Sequence, residues 1–269
     1  MSKAHLPIGV FDSGVGGLSV LQHIHNKLRN ENAVYIADSK FAPYGDRGSD
    51  FVESRSLQLA RCLAELPVKA LVVACNTATA AAVSRLRAEF SMPVIGIEPG
   101  IKPAVAQSIT GIIGVLATSE TLKSKRFASL LGRYRDERQI FTQQCPGLVE
   151  EIEAMRFDGL VLRQLVTQYL QPMLCAGVDT IVLGCTHYSF IRPLIQEIAG
   201  VSVRLIDTGE AVSNELCRRL AENNLLSPAE RAKIPQFYSS DLSTHTLQTF
   251  ACFWGGDFDV IELPLLAKV

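Results

Sequence analysis

Short apolar runs recur along the chain and are separated by longer stretches of helical character. The clearest occupy residues 6–11, 34–37, 71–74, 112–116, 180–183 and 203–206. Runs such as Ala70-Leu71-Val72-Val73-Ala74 lack the polar alternation of a half-exposed strand. That pattern belongs to strands covered by helices on both faces. Strand and helix signals alternating in this order predict parallel α/β layers with buried, central sheets.

The pattern is written twice. Ile8-Gly9-Val10-Phe11-Asp12-Ser13 recurs about 105 residues later as Ile113-Gly114-Val115-Leu116-Ala117-Thr118, and Val72-Val73-Ala74-Cys75-Asn76-Thr77 is echoed by Val182-Leu183-Gly184-Cys185-Thr186-His187. Each half closes alike, on Ile97-Glu98-Pro99-Gly100 and on Ile206-Asp207-Thr208-Gly209. The expected fold is therefore two pseudo-symmetric parallel α/β domains facing each other across a cleft, with residues 1–98 in the first and 99–208 in the second. The tail from residue 209 to 269 carries helix, strand, helix and strand signals. Its size suits completion of the first sheet better than independent folding.

Composition narrows the possible partners. Lys and Arg number 26 and Asp and Glu 27, leaving a net charge of -1, so no overall field draws the protein to nucleic acid or to an anionic membrane. No apolar run is long enough to span a bilayer, and the residues before the first strand leave no room for the apolar part of a signal peptide. Seven cysteines, scattered and without CxxC pairs, suit neither a disulfide framework nor a zinc ribbon. A reduced, cytoplasmic protein acting on a small molecule is expected.

Open α/β sheets bind ligands beyond the carboxyl ends of their strands, and the distinctive polar residues fall there. Asp12-Ser13-Gly14-Val15-Gly16-Gly17 follows the first strand. As a dinucleotide fingerprint this turn fails at its third glycine, where Ser19 stands, although Asp38 lies at the right distance for a ribose acid. A single cysteine after an apolar strand is ordinarily a packing residue. Cys75 and Cys185, however, occupy equivalent turns of duplicated halves, so a pseudo-twofold axis brings them to a ligand from opposite sides. Stereoinversion needs that arrangement: one group removes a proton while another delivers one to the opposite face. Thiols suit the task, and a helix N-terminus is expected to favour the thiolate.

Asn76, Thr77 and Thr186 are placed to reach substrate carboxylates, with ordinary helix capping as the competing reading. His187 is positioned to tune Cys185, and Asp12 to do corresponding work near Cys75. The Cys-Thr-His triplet does not have a common zinc spacing. Cys62, Cys145, Cys175, Cys217 and Cys252 read as packing residues. A non-catalytic binding protein on this fold would need no second thiol.

With these residues in place, the chain closely resembles the bacterial glutamate racemases over nearly its whole length. The match is carried by residues 8–18, by Pro43-Tyr44-Gly45, by Val73-Ala74-Cys75-Asn76-Thr77-Ala78 and by Gly184-Cys185-Thr186-His187-Tyr188. The resemblance implies interconversion of L- and D-glutamate for peptidoglycan synthesis, without pyridoxal phosphate, metal or any other cofactor. It implies Cys75 acting on D-glutamate and Cys185 on L-glutamate, with substrate contacts from Asp12, Ser13, Tyr44, Gly45, Asn76, Thr77, Thr186 and His187. It also implies a glutamate after the Cys145-Pro146 pair assisting Cys185; by position this is Glu153, with Glu150 and Glu151 nearby. Ser189 departs from the family's usual proline and is expected to loosen the second helix start. Phe127 stands where tyrosine is common. Aspartate racemases resemble the chain less at the first turn. A homodimer is the expected assembly, although no residue pattern carries it.

Overall fold

The computed structural model describes residues 3–134, 138–230, 233–256 and 258–263. Eight strands make two matching sets: β1 (Ile8–Asp12), β2 (Ala33–Ala37), β3 (Ala70–Val73) and β4 (Val94–Gly96), then β5 (Ile112–Ala117), β6 (Gln139–Gln144), β7 (Thr180–Leu183) and β8 (Arg204–Ile206). All pairings are parallel, and the two sets share one spatial order, β2-β1-β3-β4 and β6-β5-β7-β8. The sequence duplication is thus also a duplication of topology.

Helices α1 (Leu18–Lys27), α2 (Ser49–Glu65) and α3 (Asn76–Glu89) connect the first set. Helix α4 (Ile101–Gln107) links the two sets, and the second is connected by α5 (Ser119–Lys123), α6 (Lys125–Gly132), α7 (Leu148–Glu153), α8 (Leu160–Cys175) and α9 (Arg192–Ala199). The tail contributes α10 (Gly209–Glu222), β9 (Gln236–Ser239), α11 (Thr244–Trp254) and β10 (Val260–Glu262). β9 pairs in parallel with β2, and β10 with β9, which extends the first sheet to six strands. Residues 264–269 lie outside the described residues.

Every residue of β1, β2, β3 and β7 is buried, the state expected of strands with helices on both faces. One apolar cluster crosses the molecule: Val10, Leu18 and Tyr35 of the first half belong with Ile152, Leu183 and Tyr188 of the second. The strand ends of the two sheets therefore meet across packed side chains. No helix among the described residues is long and apolar enough to cross a membrane.

Two of the five remaining cysteines differ from the packing role read in the sequence. Cys62 and Cys145 are buried and Cys217 is half-buried, but Cys175 and Cys252 are exposed. The sequence cue was the apolar character of cysteine, whereas helix rotation decides which face a residue shows.

Candidate active site

The first half supplies a carboxylate and a thiol. Asp12, the last residue of β1, is fully buried. One of its oxygens accepts from the Ser13 amide at 2.7 Å and from the Ser13 hydroxyl at 3.2 Å; the other accepts from the Gly17 amide. Burial pushes the Asp12 carboxyl above its ordinary range, with the facing His187 and the two amides pulling against it. Cys75 caps α3, its sulfur accepting from the Ala78 amide at 3.4 Å and standing 3.8 Å from the Ser13 hydroxyl.

The helix start does not win at Cys75. Burial and then the Asp12 charge push its thiol well above the ordinary range, and the Ala78 amide offsets only part of this. The expected gain in thiolate is overturned at this cysteine, because dehydration outweighs one long N–H···S contact.

The second half supplies a thiol, an imidazole and a carboxylate. Cys185 precedes a 3-10 turn, Thr186–Ile191, in place of the α-helix that follows Cys75. Ser189 lies in this turn and donates to the Asp207 carboxylate. His187 Nδ1 lies 3.8 Å from Cys185 Sγ, while Nε2 is 2.7 Å from Glu153 Oε1. Burial works to strip the His187 proton, but Cys185 and Glu153 together outweigh it and hold the pKa well above the ordinary imidazole range. An imidazolium donating at both nitrogens fits these partners. Glu153 is the last residue of α7, and its neighbour Glu151 turns away to a bidentate pair with Arg156. Glu150 instead lines a small opening with Pro43, Gly45, Thr118, Cys145 and Pro146.

The glycine-rich turn joins the halves rather than cradling a phosphate. A Cβ on Gly16 would lie 2.4 Å from His187 Nδ1 and 2.6 Å from Thr186 Oγ1, and one on Gly14 would lie 2.5 Å from Glu153 Oε1. Gly16 is therefore required by the imidazole lying against the first-half turn, whereas at Gly14 the neighbour is only the end of the Glu153 side chain. Tyr35, on β2, donates its hydroxyl to the Gly14 carbonyl at 2.7 Å and fixes the turn from beneath. Ser19, the residue that breaks the dinucleotide pattern, donates to the Thr186 carbonyl at 3.1 Å. Thr186 in turn offers its hydroxyl to Asp12 at 3.4 Å.

The other residues singled out in the sequence gather at the same strand ends. The Thr77 hydroxyl lies 3.0 Å from that of Thr118 and 3.3 Å from that of Thr121, across the boundary between halves. Both polar atoms of the Asn76 amide are buried without a hydrogen-bond partner. The Tyr44 hydroxyl donates to Asp38 at 2.6 Å. Gly45 lies against Thr118, whose Cβ would be 3.0 Å from a Cβ added at the glycine.

Asp38 carries no ribose role here, since Arg55 and Tyr44 occupy both of its oxygens. Ser19, Tyr35, Arg55 and Thr121 escaped the sequence reading. Ser19 alone had left a signal there, as the misfit in the glycine pattern. Among the described residues, no three His, Cys, Asp or Glu side chains are grouped to hold a metal ion.

Comparison with known proteins agrees with this geometry. The family described as Asp/Glu/Hydantoin racemase matches residues 8–216. A glutamate racemase of Methylococcus capsulatus is 47% identical over 258 residues, covering 96% of this chain and 95% of that protein. The crystal structure of a glutamate racemase isoform from Bacillus anthracis superposes with a TM-score of 0.91 at 33% identity, covering 98% of this chain and 100% of the other. That of Francisella tularensis glutamate racemase in complex with D-glutamate gives 0.87 at 28% identity, covering 98% and 99%. Shared fold, near-complete coverage and sequence identity lead to one assignment: the chain belongs to the glutamate racemases of the Asp/Glu/Hydantoin racemase family.

Proposed function

We propose that this racemase interconverts L- and D-glutamate by proton transfer between Cys75 and Cys185, supplying D-glutamate for peptidoglycan synthesis. The observation that carries the mechanism is the equivalent placement of two buried thiols at the ends of β3 and β7, each beside its own polar partners. The Francisella relative with D-glutamate bound supports the choice of substrate. The buried, unpartnered Asn76 amide supports a polar ligand, whose carboxylate or ammonium would supply its missing bonds.

In the L-to-D direction the Cys185 thiolate takes the α-proton, leaving the C–H electron pair on the substrate as a carbanion. The Cys75 thiol then donates its proton to the opposite face and becomes a thiolate. No proton is gained or lost overall, and the enzyme is left with its two thiols in exchanged protonation states. The geometry suits this starting state: burial keeps Cys75 protonated, and the His187 imidazolium faces the Cys185 sulfur at 3.8 Å. Glu153 anchors the imidazolium from its other nitrogen. Incubating purified protein with each enantiomer and following both by chiral chromatography tests the proposal. Absence of inversion from either side would refute it.

The rate is expected to follow a bell in pH. At low pH both thiols carry protons and no base remains; at high pH both are ionised and no acid remains. Because Cys75 is held well above the ordinary thiol value of 9.0, the alkaline limb should lie above that pH. The limbs belong to the coupled pair and not to either sulfur alone. A profile of kcat/KM, checked for recovery on return to neutral pH, measures this; an alkaline limb below pH 9.0, or the absence of an acid limb, contradicts the reading.

The same proposal leaves no work for a metal or carbonyl cofactor. Dialysis against a chelator and treatment with a carbonyl reagent should each leave the rate within error of the untreated protein. Collapse under either treatment counts against two-thiol chemistry.

A further inference from the structure

Arg55 belongs to none of the motifs above, yet it is among the most fully engaged cations of the molecule. Its side chain projects from α2 and is only 12% exposed. Nε and one terminal nitrogen donate to the two oxygens of Asp38, both at 2.7 Å. The other terminal nitrogen donates to Gln58 at 2.9 Å, and the guanidinium lies 4.5 Å from the centre of the Phe41 ring. Only a planar fork meets a carboxylate in this bidentate way while stacking on an aromatic face.

Asp38 follows β2 directly, is fully buried, and donates its amide to the Asp12 carbonyl at 3.0 Å. Besides Arg55, its carboxylate accepts the Tyr44 hydroxyl at 2.6 Å. Burial first, and the Asp38 charge next, hold the Tyr44 phenol well above its ordinary range, so it keeps the proton it donates. The residues from 38 to 45 are thus folded around one ion pair. At the far end of that loop, a Cβ on Gly45 would lie 3.0 Å from Thr118 Cβ. Thr118 is the residue whose hydroxyl meets Thr77.

We propose that Arg55 is a positioning residue for substrate binding: by holding Asp38 against Tyr44 it fixes the Tyr44–Gly45 turn beside Thr118 and Thr77 and so sets the affinity for glutamate. The inference rests on the function proposed above. The ion pair lies on the β2 side of the first sheet, whereas the thiols follow β3 and β7, so its loss should act on binding more than on proton transfer.

Kinetics of Arg55→Met, Arg55→Lys and Tyr44→Phe test this. KM for either enantiomer should rise about tenfold in Arg55→Met, by less in Arg55→Lys and Tyr44→Phe, with kcat changing by a smaller factor. Lysine keeps the charge but not the fork, so its intermediate value separates geometry from charge. Reversible unfolding would itself raise the apparent KM in inverse proportion to the folded fraction, so KM is read only on variants whose urea transition leaves them fully folded under the assay, which separates the effect from simple destabilisation. Should Arg55→Met fold too poorly to assay, the double variant Arg55→Met/Asp38→Asn removes the stranded charge and should show the same rise in KM.

Arg61, on the same helix, makes an exposed pair with Glu89, and Arg61→Met should hold KM within about twofold of the parent. A parental KM in both Arg55→Met and the double variant overturns the proposal, as does an equal rise in Arg61→Met. An inactive parent protein would overturn the glutamate reading and the role of Arg55 with it. An active parent with unmoved KM in the Arg55 variants overturns the role of Arg55 alone.

Discussion

Replacing either Cys75 or Cys185 by alanine should lower racemisation about 10³-fold or more in both directions, because an acid and a base that work as a pair lose the whole reaction when one is removed. Removal of a proton by the surviving thiolate should persist. In Cys185→Ala, α-deuterated D-glutamate should lose its label to water slowly without inverting, while α-deuterated L-glutamate keeps it. Cys75→Ala should show the reverse. Label retention by mass spectrometry, read beside chiral chromatography on variants whose circular dichroism matches the parent, separates the two thiols. Near-parental racemisation in both variants would mean that the sulfurs are structural. Reversed label loss would overturn only the assignment of faces.

The second large effect is expected at a residue with no side chain. The Cβ introduced by Gly16→Ala would meet His187 at 2.4 Å and 2.5 Å and Thr186 at 2.6 Å. His187 has little room to yield, because Glu153 and Cys185 hold its two nitrogens. Either the imidazole leaves its sulfur or the first-half turn moves off the second half. We expect kcat to fall about a hundredfold through loss of the aligned imidazolium and stability to fall by about 1–3 kcal/mol from overpacking. Steady-state kinetics and urea unfolding measure the two effects. Gly132→Ala, at the end of α6 where an added Cβ meets nothing within 4 Å, is the control and should leave kcat unchanged without lowering stability. A Gly16→Ala protein with parental kcat would show that the alignment of His187 is dispensable.

How much of this could be read from the residues depended on what each feature rests on. β1, β3, β5 and β7 announced themselves because strands buried on both faces must be apolar throughout. β6, Gln-Ile-Phe-Thr-Gln-Gln, gave no such run because it is the edge strand of the second sheet and mostly faces outward. β4 is only three residues long. Cys75 and Cys185 stood out because duplication placed them at equivalent turns, so each made the other harder to dismiss.

The rest required the halves to be brought together. Nothing local to Gly16 says that a histidine 171 positions away will lie against it. Asp38 looked like a ribose acid from spacing alone, and only tertiary contacts show that Arg55 and Tyr44 already fill its oxygens. The thiol of Cys75 was misjudged for a related reason. A cap position is written in the sequence, but the loss of water around it is a property of the assembled core.

The bonds from Ser19 to Thr186 and from Thr186 to Asp12, with the glycine turn seated on His187 and Glu153, build the contact between halves out of the candidate site itself. Cys75 is 6% exposed and Cys185 7%, so this contact also helps to cover both sulfurs. Their immediate partners do not straddle the seam: Ser13 and Ala78 lie with Cys75 in the first half, and His187 and Glu153 with Cys185 in the second. Each half thus carries a sulfur together with its own polar neighbours, and what the seam adds is register: it sets the spacing of the two sulfurs and the sides they present to each other.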